Sequence, residues 1–207
     1  MVTIKKKVLA LVLITLPIMM QAQIGETHFP DRTRNILWHT PCGASQINGL
    51  ALGIQALRFG EGSLTIKGVN ADVGLGAAYA TLFIFGASTL PKEQRQKIAS
   101  VQRDSASTII YGLSLSYGGE LGIELHGVNF AGGTTLATKL YGVSLSGVYS
   151  KTYEFRGICI AGLSNYSVEG KGIQVGIFNT CKKLKGLQIG LWNKSGKRSL
   201  PFINWGT

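Results

Sequence analysis

The sequence predicts an all-β protein built from repeated strands, and three observations lead to this prediction. A glycine recurs at steps of 15, 15, 15, 15 and 14 residues between Gly112 and Gly186, and such a fixed period indicates a repeat architecture. Apolar residues alternate with small or polar ones around each glycine, as they do in β-strands. The chain also has 28 glycines in 207 residues and only 15% charged residues, which is unusual for a soluble helical domain.

Each repeat has the same local pattern around its glycine. In the six later repeats the first and third residues after the glycine are aliphatic or aromatic, and the second and fourth are small or carry an amide. Turn-type residues then separate one strand from the next. The repeat glycines are Gly49, Gly68, Gly112, Gly127, Gly142, Gly157, Gly172 and Gly186. The predicted strands are 48–57, 64–74, 76–86, 108–117, 121–131, 138–148, 154–164, 170–179 and 184–193, with a last strand at 200–205.

The sequence divides into four predicted segments. Residues 1–22 form a signal peptide, because Lys5 to Lys7 precede an apolar stretch and Ala22 suits cleavage. We expect residues 23–46 to be irregular, since Pro30, Pro41 and Gly43 favour turns. The β-repeat domain covers 47–207. A polar stretch at 88–107 interrupts it, and good helix formers after Pro91 predict a helix or loop insertion there.

Two architectures fit the repeat. The first is a set of antiparallel strands that closes into a small or shallow β-barrel, with the aliphatic side chains facing lipid or a second layer and the small polar ones lining the interior. The alternative is a β-solenoid, in which each repeat is one coil and Asn179 and Asn193 stack as an amide ladder. We favour the barrel, because a soluble solenoid should show charged residues on its outer face and the second and fourth positions carry none.

The motifs of enzyme chemistry are absent from the sequence. His28, His39 and His126 have no metal-ligand spacing, and no nucleophile triad, phosphate loop or dinucleotide fingerprint occurs. Asp72 and Glu124 lie in predicted strands, where a buried carboxylate needs a partner. We therefore expect no enzyme activity and no cofactor. Three cysteines leave at least one thiol free, and a Cys159–Cys181 disulfide is the alternative to three free thiols; the three are Cys42, Cys159 and Cys181.

Basic residues are concentrated near the C-terminal end, where no acidic residue follows Glu169. A solvated rim is one interpretation. The other is contact with the headgroups of membrane lipid or lipopolysaccharide. An exported protein would not meet nucleic acid, and a protein partner cannot be named from the sequence. The residues in question are Lys171, Lys182, Lys183, Lys185, Lys194, Lys197 and Arg198.

Two stretches, KGIQVGIFNTCKKLKGLQIGLWN and KRSLPFINW, resemble a family of exported surface-repeat proteins of Gram-negative bacteria and spirochaetes. These proteins are built from Gly-Leu-Gln-Ile-Gly-Leu-x-Asn units, and Gly172 to Asn179 and Gly186 to Asn193 are the best copies here. The resemblance implies a protein of the outer membrane or cell surface, with no catalytic residues to transfer. We expect a structural or lipid-interacting envelope protein; the alternative is a soluble, periplasmic or surface-bound, adhesin-like solenoid binding module.

Overall fold

A computed structural model describes residues 31–59, 62–75 and 106–207. In this part of the chain ten strands form one sheet, and their order in the sheet is their order in the sequence. The signal peptide, the strand 76–86 and residues 88–105 of the predicted insertion lie outside it. The strands are β1 (Thr33–Cys42), β2 (Gln46–Arg58), β3 (Leu64–Asp72), β4 (Thr108–Ser116), β5 (Gly119–Ala131), β6 (Thr134–Ser146), β7 (Tyr149–Ala161), β8 (Ser164–Val175), β9 (Phe178–Ser195) and β10 (Arg198–Gly206).

The strands form a β-solenoid, which confirms the predicted all-β class and the alternative architecture; the described strands do not form the favoured antiparallel barrel. β1 to β9 pair in parallel with their neighbours, and only β10 runs antiparallel, against β9. Each repeat glycine pairs with the repeat glycine of the next coil, for example Gly127 with Gly142 and Gly142 with Gly157. The alternation of period two is common to both architectures. The similarity of the units is explained by parallel stacking, in which equivalent positions of successive repeats lie side by side.

One coil consists of three short runs separated by two changes of direction; in β7 the first, second and third runs are residues 149–152, 154–156 and 158–161. In β7 the buried side chains are Ser150, Thr152, Phe155, Cys159 and Ala161. The alternation is interrupted before Phe155, where the pairing between coils skips Thr138, Tyr153, Val168 and Lys182. It is interrupted again at the repeat glycine. The short connection after each strand leads the chain into the first run of the next coil.

The repeat glycines form a column in which only glycine fits. All eight have φ between 121° and 148°, a region that side chains with a Cβ rarely adopt. A Cβ on Gly142 would lie 2.0 Å from the carbonyl oxygen of Gly127, and one on Gly157 would lie 2.0 Å from that of Gly142. Both the conformation and the close approach of neighbouring coils therefore require glycine at this turn.

Amide and hydroxyl side chains fill much of the interior and join one coil to the next. Asn165 donates to Oδ1 of Asn179 at 2.8 Å, and Asn179 donates to Oδ1 of Asn193 at 2.8 Å, which confirms the amide ladder expected for a solenoid. Gln188 donates to Oε1 of Gln174 at 2.8 Å. These buried amides are paired, as buried polar groups must be, and stacked amides of this kind also stabilise cross-β structures.

Insertions leave the stacking of coils unchanged. Gly49 pairs with Gly68, nineteen residues later, and Gly68 pairs with Gly112, forty-four residues later. β3 therefore pairs directly with β4. The apolar centre of the domain includes Ile66, Leu125 and Leu140, none of which has measurable exposure.

One of the two edge strands of the sheet, β1, was not predicted from the sequence. The segment 23–46, expected to be irregular, contains β1. In β1, Ile36 pairs with Gly49 of β2, and the φ of Ile36 is 76°. The prediction failed because β1 lacks the marker glycine and holds Pro41. The other edge strand, β10, holds Pro201 beside a register shift. Proline on an edge strand removes a hydrogen-bond donor and discourages further strand addition.

Replacing one glycine of the column tests its role. Gly142→Ala should lower the free energy of unfolding by about 3 kcal/mol or more, since it adds both backbone strain and a clash with the preceding coil. The measurement is urea unfolding followed by circular dichroism. Gly196→Asn is the control, because Gly196 has a φ of 57° and its Cβ would lie 3.4 Å from the nearest atom. It should cost less than about 1 kcal/mol. Equal losses in the two variants would contradict this account.

Candidate functional site

The described residues include an apolar face on the third run of each coil, which we call the outer apolar face. It consists of the side chains one and three residues after each repeat glycine. None of them is buried and none is charged, because the intervening small and amide residues point inward. They are Leu50, Leu52, Val69, Ala71, Leu113, Leu115, Val128, Phe130, Val143, Leu145, Ile158, Ile160, Ile173, Val175, Leu187 and Ile189.

The outer apolar face extends over nearly the whole sheet. In β10, Ile203 pairs with Ile189 and Trp205 pairs with Leu187, so both continue the face and both are half exposed. Strands lie about 4.8 Å apart, so the eight steps from β2 to β10 span about 38 Å. A shallow groove of about 980 Å³ crosses it near Leu115 and Phe130. Soluble monomers rarely expose a continuous apolar surface of this extent unless it contacts something else.

The neighbouring second run of each coil is polar and largely neutralised in the middle of the solenoid. Glu124 accepts from Lys139 at 3.2 Å and contacts His126 at 2.9 Å. The ring of His126 stacks on Tyr111 at 4.7 Å and meets the edge of Tyr141 at 5.0 Å. His126 is thus part of a surface column of aromatic rings. These pairs hold the pKa of Glu124 below its usual value, against the opposing effect of its partial burial.

At the C-terminal end the same side of the solenoid becomes basic. A groove of about 950 Å³ lies between the second runs of β7, β8 and β9 and the β9–β10 turn; we call it the basic groove. Six of the seven basic residues singled out in the sequence line it, and Lys194 does not. Arg156 joins them, because it pairs with Lys171, which pairs with Lys185. The cations of the groove are Arg156, Lys171, Lys182, Lys183, Lys185, Lys197 and Arg198.

The two surfaces meet at the last strands. Trp205 lines the basic groove and also continues the outer apolar face beside Leu187. Arg198 lies over its ring at 4.5 Å. The structure therefore places the cations next to an apolar surface, which the sequence did not predict because the two sets of residues are interleaved along the chain.

The candidate chemical groups of the sequence lie apart from one another. His39 stacks on Trp38 in β1, at 5.2 Å, far along the chain from His126, and His28 lies outside the described residues. Among the described residues no group of three His, Cys, Asp or Glu side chains is placed to hold a metal ion. Cys42, Cys159 and Cys181 are buried and unbridged, and burial raises the pKa of Cys159 to about 12.

One pair of carboxyl groups is buried inside the solenoid, and the sequence indicated only half of it. Asp72 accepts from the backbone N–H of Ala56 at 3.0 Å, and Asn70 donates both to Asp72 at 3.1 Å and to Glu120 at 3.2 Å. Glu120 also accepts from the hydroxyl of Ser114. Burial, and then the charge of Asp72, raise the pKa of Glu120 to about 8; burial likewise raises the pKa of Asp72.

The chain was compared with family models, with curated proteins and with solved structures, and none of the three comparisons gives a match. Within the described residues, no helix has the length and apolar character that crossing a membrane requires.

Glu120 should make the stability of the protein depend on pH. Its pKa is higher in the folded state than its usual value of 4.5, so its contribution to stability is fully present below about pH 4.5 and is lost as the pH rises through about 8. The free energy of unfolding of wild type should fall over this range, and that of Glu120→Gln should fall less. Urea unfolding at pH 5, 7 and 9 measures both. Parallel pH profiles for the two proteins would show that Glu120 is already ionised in the folded state.

Proposed function

We propose that this protein is an exported, non-enzymatic β-solenoid binding module of the cell envelope, and that its outer apolar face is the surface that binds. One observation carries the proposal: sixteen side chains on eight strands present aliphatic or aromatic groups to the outside without a charge among them. Packing of the interior does not explain these outward aliphatic side chains, because the small and amide side chains of the third run already fill the interior beneath them.

The partner that suits this face is the surface of a lipid layer. The face consists mainly of branched aliphatic side chains, which offer no hydrogen-bonding groups for a sugar. Cations lie beside it at the C-terminal end, and Trp205 stands at the boundary. Apolar groups next to lysine and arginine, with tryptophan between, are the composition of proteins that lie in a membrane interface. In this arrangement the solenoid rests on the membrane and does not span it.

The resemblance to exported surface-repeat proteins supports the same location. The GLQIGLWN unit of that resemblance corresponds to the repeat glycine, the inward glutamine and the outward Leu187 and Ile189. The unit is therefore one that builds the outer apolar face. A signal peptide at 1–22 would bring the protein to the envelope, either at the outer membrane or in the periplasm.

Vesicle binding tests the proposal. The mature protein should sediment with vesicles of phosphatidylcholine and phosphatidylglycerol, and the double variant Leu115→Gln, Phe130→Gln should bind about 10-fold more weakly, because it removes two of the exposed apolar side chains. The measurement is co-sedimentation over a series of lipid concentrations.

The matched control is Ile109→Gln, Tyr111→Gln. These residues pair an aliphatic with an aromatic group as the first variant does, but lie on the polar side, and Tyr111 and Phe130 are both 44% exposed. The control should bind vesicles like wild type. Equal weakening of the two variants would overturn the assignment of the face. So would a stable dimer that binds no vesicles and that the Leu115, Phe130 variant dissociates, because the face would then bind a second copy.

A further inference from the structure

The basic groove has more positive charge than the carboxylates around it can neutralise. Its side chains include seven cations and two carboxylates, Glu154 and Glu169. Glu154 accepts from Arg156 at 2.8 Å and Glu169 accepts from Lys183 at 2.7 Å. The remaining five cations have no carboxylate partner among the described residues, and no acidic residue occurs after Glu169 in the sequence.

The arrangement of these cations is unfavourable in the protein alone. Arg156, Lys171 and Lys185 pair in register on three successive strands, so their backbones are about 4.8 Å apart. Like charges directly opposite one another in a sheet are destabilising. In the middle of the solenoid the same column holds Tyr111, His126 and Tyr141, which stack or meet edge to face. The repeat does not itself require cations at these positions.

We propose that the basic groove binds the phosphate groups of anionic lipid headgroups. This inference rests on the proposed function and deepens it, because Trp205 joins the groove to the outer apolar face, so a lipid beneath that face has its headgroup at the groove. Phosphate is the anionic group of membrane lipids that lysine and arginine bind directly.

The number of cations indicates a ligand with more than one negative charge. Five cations without carboxylate partners exceed what one phosphodiester, with a single charge, neutralises. The groove volume of about 950 Å³ is open to the solvent and accommodates a headgroup with two phosphates or two neighbouring headgroups. A phosphate monoester, which carries between one and two charges at neutral pH, should therefore bind more tightly than a phosphodiester.

The experiment compares vesicles of phosphatidylcholine alone with vesicles that also contain phosphatidylglycerol or phosphatidic acid, using full-length mature protein. Wild type should bind phosphatidic acid vesicles at least about 10-fold more tightly than phosphatidylcholine vesicles, with phosphatidylglycerol between them. Lys171→Gln, Lys185→Gln should remove most of this preference, since each lysine near an anionic surface contributes a several-fold gain in affinity.

The control variant is Lys67→Gln, Lys139→Gln, which changes the net charge equally on the same side of the solenoid but outside the groove. It should change affinity less than about 2-fold. Calorimetric titration with inorganic pyrophosphate, without lipid, separates headgroup binding from binding of a free phosphate compound. Binding of pyrophosphate that the Lys171, Lys185 variant loses supports the groove as a phosphate site.

The outcomes separate this inference from the proposed function. Equal affinity of wild type for neutral and anionic vesicles would overturn the assignment of the basic groove as a phosphate site and leave the outer apolar face as the proposed binding surface. Equal loss in the groove and control variants would also overturn it, because the effect would then be one of net charge. Pyrophosphate binding that depends on Lys171 and Lys185, with no binding to any vesicle, would overturn the proposed function and assign the groove to a free phosphate compound.

Discussion

The contact between the repeat glycine of one coil and the glycine carbonyl of the coil before it is the constraint on which the rest of the structure depends. It fixes the register from β2 to β9, because there only a glycine fits against the coil before it and each glycine must lie beside the preceding one. Once the register is fixed, every other position of the repeat also lies beside the equivalent position of the next repeat. Amides then hydrogen-bond to amides inside the solenoid, and aliphatic side chains form a continuous surface outside.

The interior and the exterior of this protein reverse the usual distribution of residue types along part of each coil. The third run turns its small and amide residues inward and its aliphatic residues outward. Each of the inward amides Asn70, Asn129, Gln174 and Gln188 has a hydrogen-bond partner one coil away, whereas the outward aliphatic side chains gain little from the fold itself. Their burial is completed only when another surface covers them. The inward side chains of the third run therefore stabilise the fold, and its outward side chains form the outer apolar face.

Much of this could be read from the sequence. The period, the strand type, the inward position of Gln188 and the outward position of Leu187 all follow from alternation around a fixed glycine. The direction of the strands did not follow, because period-two alternation is the same in parallel and antiparallel sheets. β1 was missed because Ile36 stands where the other coils have glycine. Glu120 was missed because its neighbour Asp72 is 48 residues away. The cations of the groove were named, but their register was not used: Lys171 and Lys185 are one repeat apart and so lie side by side.

The pairing of each described strand with its neighbours along the chain has a consequence for how such a chain can change. In the described residues strand pairing joins each strand only to the one before and the one after, so a duplicated or deleted unit of fifteen residues adds or removes about 4.8 Å of length. The two proline-bearing edge strands are untouched by such a change. The length of the outer apolar face is thus set by copy number, and can vary without any residue of the existing coils being altered.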